Sequence, residues 1–162
     1  MPNQVDNSSQ YFARTMRSSD LDLVVQNEAA ASAHHWTKRI FIDCLRGGYQ
    51  CWVLANKQDI VAHGVMSVAT GECHLLTLCV HPDHQRKGLA RKLFNLILDR
   101  AVKLDAHECF LEVRKSNTPG IELYRSMGFI QVGERKNYYP NGSDREDALI
   151  MSRSLAQRLR SI

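Results

Sequence analysis

The sequence predicts an α/β (α+β) fold, in which a mixed, twisted central sheet of about seven strands is flanked by about four helices. Two observations support this fold class. In the second half of the chain, short apolar segments alternate with longer segments whose apolar residues recur at helical spacing, which indicates strand–helix–strand units with parallel strands. In the middle of the chain, two apolar segments are separated by the polar turn Asn56–Asp59, which indicates an antiparallel hairpin.

The first half of the chain is predicted to contain three strands and two helices. Ser18-Ser19-Asp20 is a cluster of N-cap residue types that precedes an alanine-rich segment. Thr37 is a second candidate cap, and Gly47-Gly48 ends the helix that follows it. The predicted elements are a strand over Tyr11–Met16, a helix over Leu21–Ala33, a short helix after Thr37, and strands over Tyr49–Ala55 and Ile60–Ala69.

The second half is predicted to contain four strands and two helices. Asn117-Thr118-Pro119 opens one of these helices, with the proline where its missing N–H is harmless, and Gly128 ends it in a left-handed conformation. A loop through Tyr138–Gly142 is expected to join the last two strands. The other predicted elements are a strand over Leu75–Val80, a long helix from Gly88, and strands over Cys109–Val113, Phe129–Arg135 and Ala148–Ser152.

Length and composition are typical of a single soluble domain. The chain has 162 residues, of which 44% are apolar and 23% are charged. We expect a flexible arm at residues 1–10, a single folded domain at 11–153 and a tail at 154–162. No apolar run approaches about 18 residues, and no secretion signal is visible at the start. The five cysteines form no Cys-x-x-Cys pair, which favours a reducing, cytoplasmic location.

A basic segment between the strand ending at Val80 and the helix beginning at Gly88 predicts an anion site. A helix start offers unpaired N–H groups and a partial positive charge, and Gly88 lets the backbone approach a ligand closely. Donor and cationic side chains are added by Gln85, Arg86, Lys87 and Arg91. A pyrophosphate fits this site best, and the net charge of +4 suits either an anionic cofactor or a ribosomal setting.

Two known phosphate-binding patterns do not fit this segment. It has one glycine and no hydroxyl residue after its lysine, which excludes the nucleoside-triphosphatase loop and the three-glycine dinucleotide fingerprint. The alternative to an anion site is a strand-to-helix connection with a solvated basic turn.

Glu112 and Tyr124 are the candidate acid–base residues. Glu112 lies in an apolar strand, where a carboxylate needs a partner, and strand alternation puts it on one face with Phe110 and Arg114. It is either a general base in a cleft or half of an ion pair with Arg114. Tyr124 lies on the inward stripe of its helix and is either a core residue or a donor of a proton to a leaving thiolate. Asn117 is expected to cap that helix.

Cys79 allows two other chemical roles. With His81 and His84 it could bind zinc, but this set lacks a fourth ligand, and we expect no metal. It could also carry an acetyl group as a nucleophile, although a cysteine in an apolar strand is more often a packing residue.

Several motifs resemble those of a known family. Gln85-x-x-Gly88-x-Ala90 matches the Gln/Arg-x-x-Gly-x-Gly/Ala signature of the Gcn5-related N-acetyltransferases. The chain is further similar, over roughly residues 11–153, to the bacterial ribosomal-protein-alanine N-acetyltransferases. The segments that carry this second resemblance are Val80–Asp83, Leu111–Asn117, Asn137–Pro140 and Asp144–Met151.

The resemblance implies acetyl-CoA as co-substrate and a role for each matched residue. Glu112 falls on the general base and Tyr124 on the general acid, while Trp36, Tyr138 and Tyr139 fall on the acceptor side. The residues implied to bind acetyl-CoA are Leu78, Cys79 and Val80 along the acetyl-pantetheine arm, Arg86, Lys87, Gly88, Leu89, Ala90 and Arg91 at the pyrophosphate, and Asn117.

The implied function is acetyl transfer to the N-terminal α-amine, on alanine, of a small-subunit ribosomal protein by direct attack in a ternary complex. The alternatives are a small amine or other protein N-termini as acceptor, or a non-catalytic, CoA-binding, ribosome-associated module. No nucleic-acid contact or membrane is required, and a monomer is favoured. Ala90 replaces a commoner glycine, whereas His35 and Thr37 replace a proline and a serine and leave the acceptor-side lid uncertain.

Overall fold

The structure of the protein is a computed structural model that describes residues 10–156. This part contains seven strands and four α-helices, together with short 3-10 helices at Ser18–Asp20 and Pro82–His84. The arm and the tail expected at residues 1–10 and 154–162 fall largely on residues 1–9 and 157–162, which lie outside the described residues. In chain order the elements are β1 (Phe12–Thr15), α1 (Leu21–Ala31), α2 (Lys38–Arg46), β2 (Gln50–Ala55), β3 (Ile60–Ala69), β4 (Glu72–Val80), α3 (Leu89–Lys103), β5 (Glu108–Arg114), α4 (Thr118–Ser126), β6 (Ile130–Asn141) and β7 (Asp144–Ser154).

The seven strands form one mixed sheet in the order β1-β2-β3-β4-β5-β7-β6. Strands β4 and β5 are parallel, as expected for a pair joined by the crossover helix α3. The pairs β1–β2, β5–β7 and β6–β7 are antiparallel. The predicted fold class, a mixed sheet of seven strands with four helices, is therefore confirmed. No helix among residues 10–156 is long and apolar enough to cross a membrane.

The described residues form two compact units. The first unit comprises residues 10–65 and 77–97, and the second comprises residues 66–76 and 98–156. Strands β3 and β4 and helix α3 contribute residues to both.

The first unit has an apolar core under α1 and α2. Asp20 and Thr37 occupy the predicted N-cap positions of these helices, but neither side chain makes a capping hydrogen bond. Instead the Asp20 carboxylate accepts hydrogen bonds from the Arg14 guanidinium at 2.7 and 2.8 Å, and this pairing lowers its pKa. A buried carboxylate is better stabilised by a bidentate guanidinium than by backbone N–H groups alone. The buried core residues are Met16, Leu21, Val24, Phe41, Cys44, Cys51, Val53, Ile60 and Val65.

In the second unit, the predicted limits of α4 are confirmed, whereas the predicted loop after β6 is wrong. The Asn117 side chain accepts a hydrogen bond from Gly120 N at 3.1 Å, and Gly128 follows the helix at φ +90°. Strand β6 continues through Asn141, so that only residues 142 and 143 form the turn before β7. A register shift between Arg135 and Tyr139 absorbs residues that would otherwise break the pairing.

Candidate active site

The β4–α3 loop, residues 81–88, is fixed by hydrogen bonds to β3, to the end of β4 and within the loop itself. The His81 N–H donates to the Val61 carbonyl at 2.8 Å, and the Gln85 side chain donates to the Val80 carbonyl at 3.0 Å. The His81 ring accepts a hydrogen bond from Asp83 N at 3.1 Å. These bonds lie within the first unit and set the path of the chain at the start of the Gln85-x-x-Gly88-x-Ala90 signature.

Two residues of this loop have left-handed backbone conformations. Arg86 has φ +63° and Gly88 has φ +75°, and such alternation turns backbone N–H groups toward one concave side. A side chain at Gly88 would meet no atom within 4 Å, so the space beside it is open to a ligand. Arg86 and Lys87 are exposed and form no ion pair with any other residue between 10 and 156. The loop therefore has the shape and the charge for an anion.

Helix α3 begins directly after this loop and is anchored in the first unit. The Lys92 N–H donates to the Gly88 carbonyl at 3.1 Å, which forms the first helical turn. Leu89 and Leu93 are buried, while Ala90 is half-buried and Arg91 is exposed. On the strand before the loop, the residues Leu78, Cys79 and Val80 are all half-buried.

Glu112 lies on the half-buried face of β5 in the second unit. Cys109, Leu111 and Val113 are buried on the opposite face, and the Glu112 side chain is 29% exposed. One carboxylate oxygen of Glu112 accepts a hydrogen bond from Arg135 Nε at 2.8 Å. A partnered but accessible carboxylate of this kind can accept a proton from a bound amine.

The alternative reading of Glu112, an ion pair with Arg114, does not hold, because Glu112 pairs with Arg135 instead. Arg114 pairs with Glu146 at 3.3 Å. Residues two apart on a strand are separated by about 6.7 Å, which leaves each side chain closer to partners on other strands. In the sheet, Ala148 lies opposite both Arg114 and Arg135, and its small side chain leaves room for a long guanidinium to cross β7.

Two tyrosines of β6 complete what we call the Glu112 cluster, namely Glu112, Arg114, Arg135, Tyr138 and Tyr139. The Tyr138 and Tyr139 rings meet edge to face, with centroids 5.0 Å apart. Arg135 lies 5.5 Å from the Tyr138 ring centre and Arg114 lies 4.4 Å from that of Tyr139. A hydrogen bond with Glu112 raises the pKa of Tyr138, and burial followed by the Glu112 charge raises the pKa of Tyr139 to about 12.

Tyr124 is a buried residue of α4. Its ring contacts Phe129 at a centroid distance of 6.1 Å. Burial raises its pKa, and the proximity of Tyr139 and Cys109 raises it further. The phenol therefore keeps its proton at neutral pH, which is the protonation state that a general acid requires.

The bulge that carries Tyr138 depends on residues that sequence reasoning missed. Asn137 has φ +51°, and its N–H donates to Asp147 Oδ1 at 2.9 Å. Arg145 donates to the carbonyls of Asn137 and Tyr138 at 2.7 and 2.8 Å. Arg145 and Asp147 belong to the Asp144–Met151 segment, which the resemblance to a known family had already singled out. Their hydrogen-bond partners could not be predicted, because these depend on the register of β6 and β7.

Trp36 is anchored in the first unit. Its ring packs on Phe41 at a centroid distance of 5.2 Å. Its backbone N–H donates a hydrogen bond to Glu28 Oε1 at 3.4 Å. Its contact with an acceptor stays a prediction.

Comparisons with known proteins agree with this arrangement. The model of the acetyltransferase (GNAT) family matches residues 14–129. The ribosomal protein bS18-alanine N-acetyltransferase of Escherichia coli (strain K12) is 34% identical over 138 residues, which are 85% of this chain and 93% of that relative.

Solved structures match along the same length. The crystal structure of the ribosomal-protein-S18-alanine N-acetyltransferase from Escherichia coli matches with a TM-score of 0.83 and 33% identity, over 89% of this chain and 93% of that one. The structure of yncA, a putative acetyltransferase from Salmonella typhimurium with its cofactor acetyl-CoA, shares the fold at 18% identity and a TM-score of 0.75, over 90% and 94% of the two chains. The chain therefore belongs to the acetyltransferase (GNAT) family, and within it to the ribosomal-protein-alanine N-acetyltransferases.

Proposed function

We propose that the protein transfers the acetyl group of acetyl-CoA to the N-terminal α-amine of a ribosomal protein that begins with alanine. The observation that carries this proposal is the accessible carboxylate of Glu112 within a cluster of two tyrosines and two arginines. It is supported by the Escherichia coli relative, which is named for acetylating ribosomal protein bS18 and is matched over 93% of its length. A ribosomal acceptor would place the reaction in the cytoplasm.

The β4–α3 loop binds the co-substrate in this proposal. The exposed side chains of Arg86 and Lys87 and the N–H groups at the start of α3 neutralise the pyrophosphate. The bare backbone at Gly88 lets the phosphates approach. The half-buried strand segment 78–80 binds the acetyl-pantetheine arm and donates a backbone N–H to the thioester carbonyl, and Asn117 adds a further contact.

Glu112 and Tyr124 move the protons. Glu112 accepts a proton from the acceptor ammonium, which frees the nitrogen lone pair to attack the thioester carbon. As the bond from that carbon to sulfur breaks, Tyr124 gives its phenolic proton to the leaving thiolate. Arg135 holds the Glu112 carboxylate in one orientation through the 2.8 Å hydrogen bond.

The acceptor is an α-amine rather than a lysine side chain. An α-amine has a pKa of about 7.7–8.0, whereas that of lysine is about 10.4. The gap of roughly 2.5 units corresponds to about 3.4 kcal/mol that a lysine acetyltransferase must recover with a stronger base or by desolvation. Tyr138 and Tyr139 offer aromatic faces for a short extended peptide, and we expect a small first residue such as alanine.

A matched pair of peptides tests this function. One peptide has a free N-terminal alanine and an internal lysine, and the other has the same sequence with a blocked N-terminus. Incubation with acetyl-CoA followed by mass spectrometry should show acetylation of the free peptide alone. Equal acetylation of the blocked peptide, or acetylation only of polyamines and aminoglycosides included in parallel, would reject the α-amine acceptor.

A further inference from the structure

Three side chains that can bind a metal ion meet in the first unit. They are Glu28 of α1, His63 of β3 and Cys79 of β4, and their ligand atoms all lie within 4.8 Å of one another. Across residues 10–156 this is the one such group of three, so that the set Cys79, His81 and His84, weighed from the sequence, does not form. The three residues lie on three separate elements, which is why their spacing in the sequence gives no metal-binding motif.

The polar groups in this group are shielded from water. Glu28 is 5% exposed and His63 is fully buried. His63 Nε2 lies 2.5 Å from a carboxylate oxygen of Glu28, and His63 Nδ1 lies 2.9 Å from Asn27 Nδ2. The buried Glu28 carboxylate faces the His63 ring and the Cys79 thiol and accepts long hydrogen bonds from the Trp36 backbone N–H and the Thr77 hydroxyl. Buried charges are usually paired or bound to a metal.

A second, independent observation comes from Asn27. This residue is 2% exposed, and its side-chain oxygen has no hydrogen-bond partner among the described residues. A histidine that binds a metal through one ring nitrogen usually donates its other N–H to an oxygen. If Nε2 of His63 binds a metal, its proton moves to Nδ1, and rotation of the Asn27 amide presents the unpartnered oxygen to that proton. The Asn27 oxygen is thus placed to accept the hydrogen bond that a metal-bound His63 would donate.

We propose that Glu28, His63 and Cys79 bind a divalent transition-metal ion, with Zn²⁺ the best match to a carboxylate, an imidazole and a thiolate. The thiolate and the carboxylate together neutralise the dication. The Cys79 thiol gives up one proton on binding, and the His63 proton stays on the ring. Thr77 Oγ1 lies 3.4 Å from both Glu28 oxygens and donates to that carboxylate.

The three ligand atoms, now up to 4.8 Å apart, must move closer together to bind a zinc ion. Zinc bonds of about 2.3 Å to sulfur and about 2.0–2.1 Å to nitrogen or oxygen separate the ligand atoms of a tetrahedral site by roughly 3.3–3.6 Å. The ion must therefore draw in the most distant ligand atoms and replace the hydrogen bond between His63 and Glu28. Without a metal, burial raises the pKa of the Cys79 thiol to about 12, with a smaller effect from Glu28. Such a protonated thiol is a poor acetyl-carrying nucleophile. The proposal departs from the expectation from the sequence that the protein binds no metal.

Cobalt is the probe for this site, because a Co²⁺–thiolate bond gives a near-ultraviolet charge-transfer band. The full chain, reduced and freed of metal by a chelator, should bind one Co²⁺ with such a band, and Zn²⁺ should displace it. Cys79→Ser should abolish the band and weaken Zn²⁺ binding at least 100-fold, and Asn27→Leu should weaken it about 10- to 100-fold with the band retained. Cys51→Ser is the matched control, since Cys51 is a buried thiol of the same unit whose pKa is also raised to about 12.

A second measurement uses the unaltered chain and does not depend on how the variants fold. Timed alkylation at pH 9, mapped by mass spectrometry, should show that Zn²⁺ protects Cys79 and leaves the labelling of Cys51 unchanged. The absence of a thiolate band at saturating Co²⁺, a band that survives Cys79→Ser, or equal alkylation of Cys79 with and without Zn²⁺ would each overturn the site.

Discussion

The β4–α3 loop and the Glu112 cluster differ in how far along the chain their parts are drawn from. Most of the bonds that shape the loop join close neighbours, such as Gln85 to Val80 and Lys92 to Gly88. Two further bonds, from His81 to Val61 and between His84 and Tyr11, tie it to other parts of the first unit. In the Glu112 cluster, by contrast, Arg135 reaches a carboxylate 23 residues away, and Arg114 reaches Glu146, 32 residues away. The loop is thus largely a product of local backbone conformation, whereas the cluster exists only once three strands are in register.

This difference predicts that substitutions in the two regions have separable effects. Changes in the loop should alter the affinity for acetyl-CoA, and changes in the cluster should alter turnover or use of the acceptor peptide. A substitution that altered both equally would mean that the two regions do not have the distinct roles proposed above.

The largest effect is expected for Glu112→Gln. Glutamine keeps the shape of the side chain but cannot take a proton, so kcat should fall by about 10²–10⁴ while acetyl-CoA binding is unchanged. The deficit should shrink at high pH, because the acceptor amine then loses its proton unaided. Steady-state kinetics across pH would measure this, with Glu122→Gln, an exposed carboxylate of α4, as control. Wild-type turnover in Glu112→Gln would leave Glu112 as a structural partner of Arg135.

Tyr124→Phe should lower kcat by about 10²–10³ and leave acetyl-CoA binding intact. Burial raises the pKa of Tyr124, so that the phenol keeps its proton above its ordinary value near 10. A basic limb of kcat caused by loss of the Tyr124 proton should therefore be absent below about pH 10. Phe129→Leu, which removes the ring that Tyr124 contacts, is the control for packing. A kcat for Tyr124→Phe within twofold of wild type would make Tyr124 a core residue only.

Gly88→Val tests the loop. A β-branched residue at φ +75° is strained, and its side chain would fill the open space beside the backbone that we propose to bind the pyrophosphate. We expect at least a tenfold loss of acetyl-CoA affinity and loss of the rise in Tm that acetyl-CoA gives to the wild type. Gly142→Val is a close control, because Gly142 also has positive φ and open space but lies in the turn between β6 and β7. Equal CoA affinity in a folded Gly88→Val variant would contradict the loop assignment.

The same contrast explains how much could be predicted from sequence. The seven strands, the limits of α4 and the shape of the β4–α3 loop depend on periodicity, caps and glycines, which are local signals. The partner of Glu112 could not be predicted, because Arg135 lies two strands away and only the pairing of both strands with β7 brings it close. Asp20 shows the same limit, since its sequence pattern indicates a helix cap and Arg14 is recognisable as its partner only in the folded unit.

The smallest effect is expected at the bulge that carries Tyr138. In this bulge Asn137 uses only its backbone: its N–H donates to Asp147, and its carbonyl accepts from Arg145. These bonds remain when the side chain of residue 137 is changed. Its φ of +51° costs a residue such as alanine about 1 kcal/mol or slightly more, whereas glycine adopts it freely.

Asn137→Ala should therefore lower the free energy of unfolding by about 1 kcal/mol and raise KM for the peptide a few-fold as Tyr138 shifts. Asn137→Gly should have a free energy of unfolding within about 0.5 kcal/mol of wild type and a peptide KM within about twofold of it. Neither variant should change KM for acetyl-CoA. Urea unfolding and peptide kinetics measure the two quantities. If the alanine and glycine variants were indistinguishable, the left-handed residue would have no part in positioning Tyr138, and the cluster would depend on Arg145 and Asp147 alone.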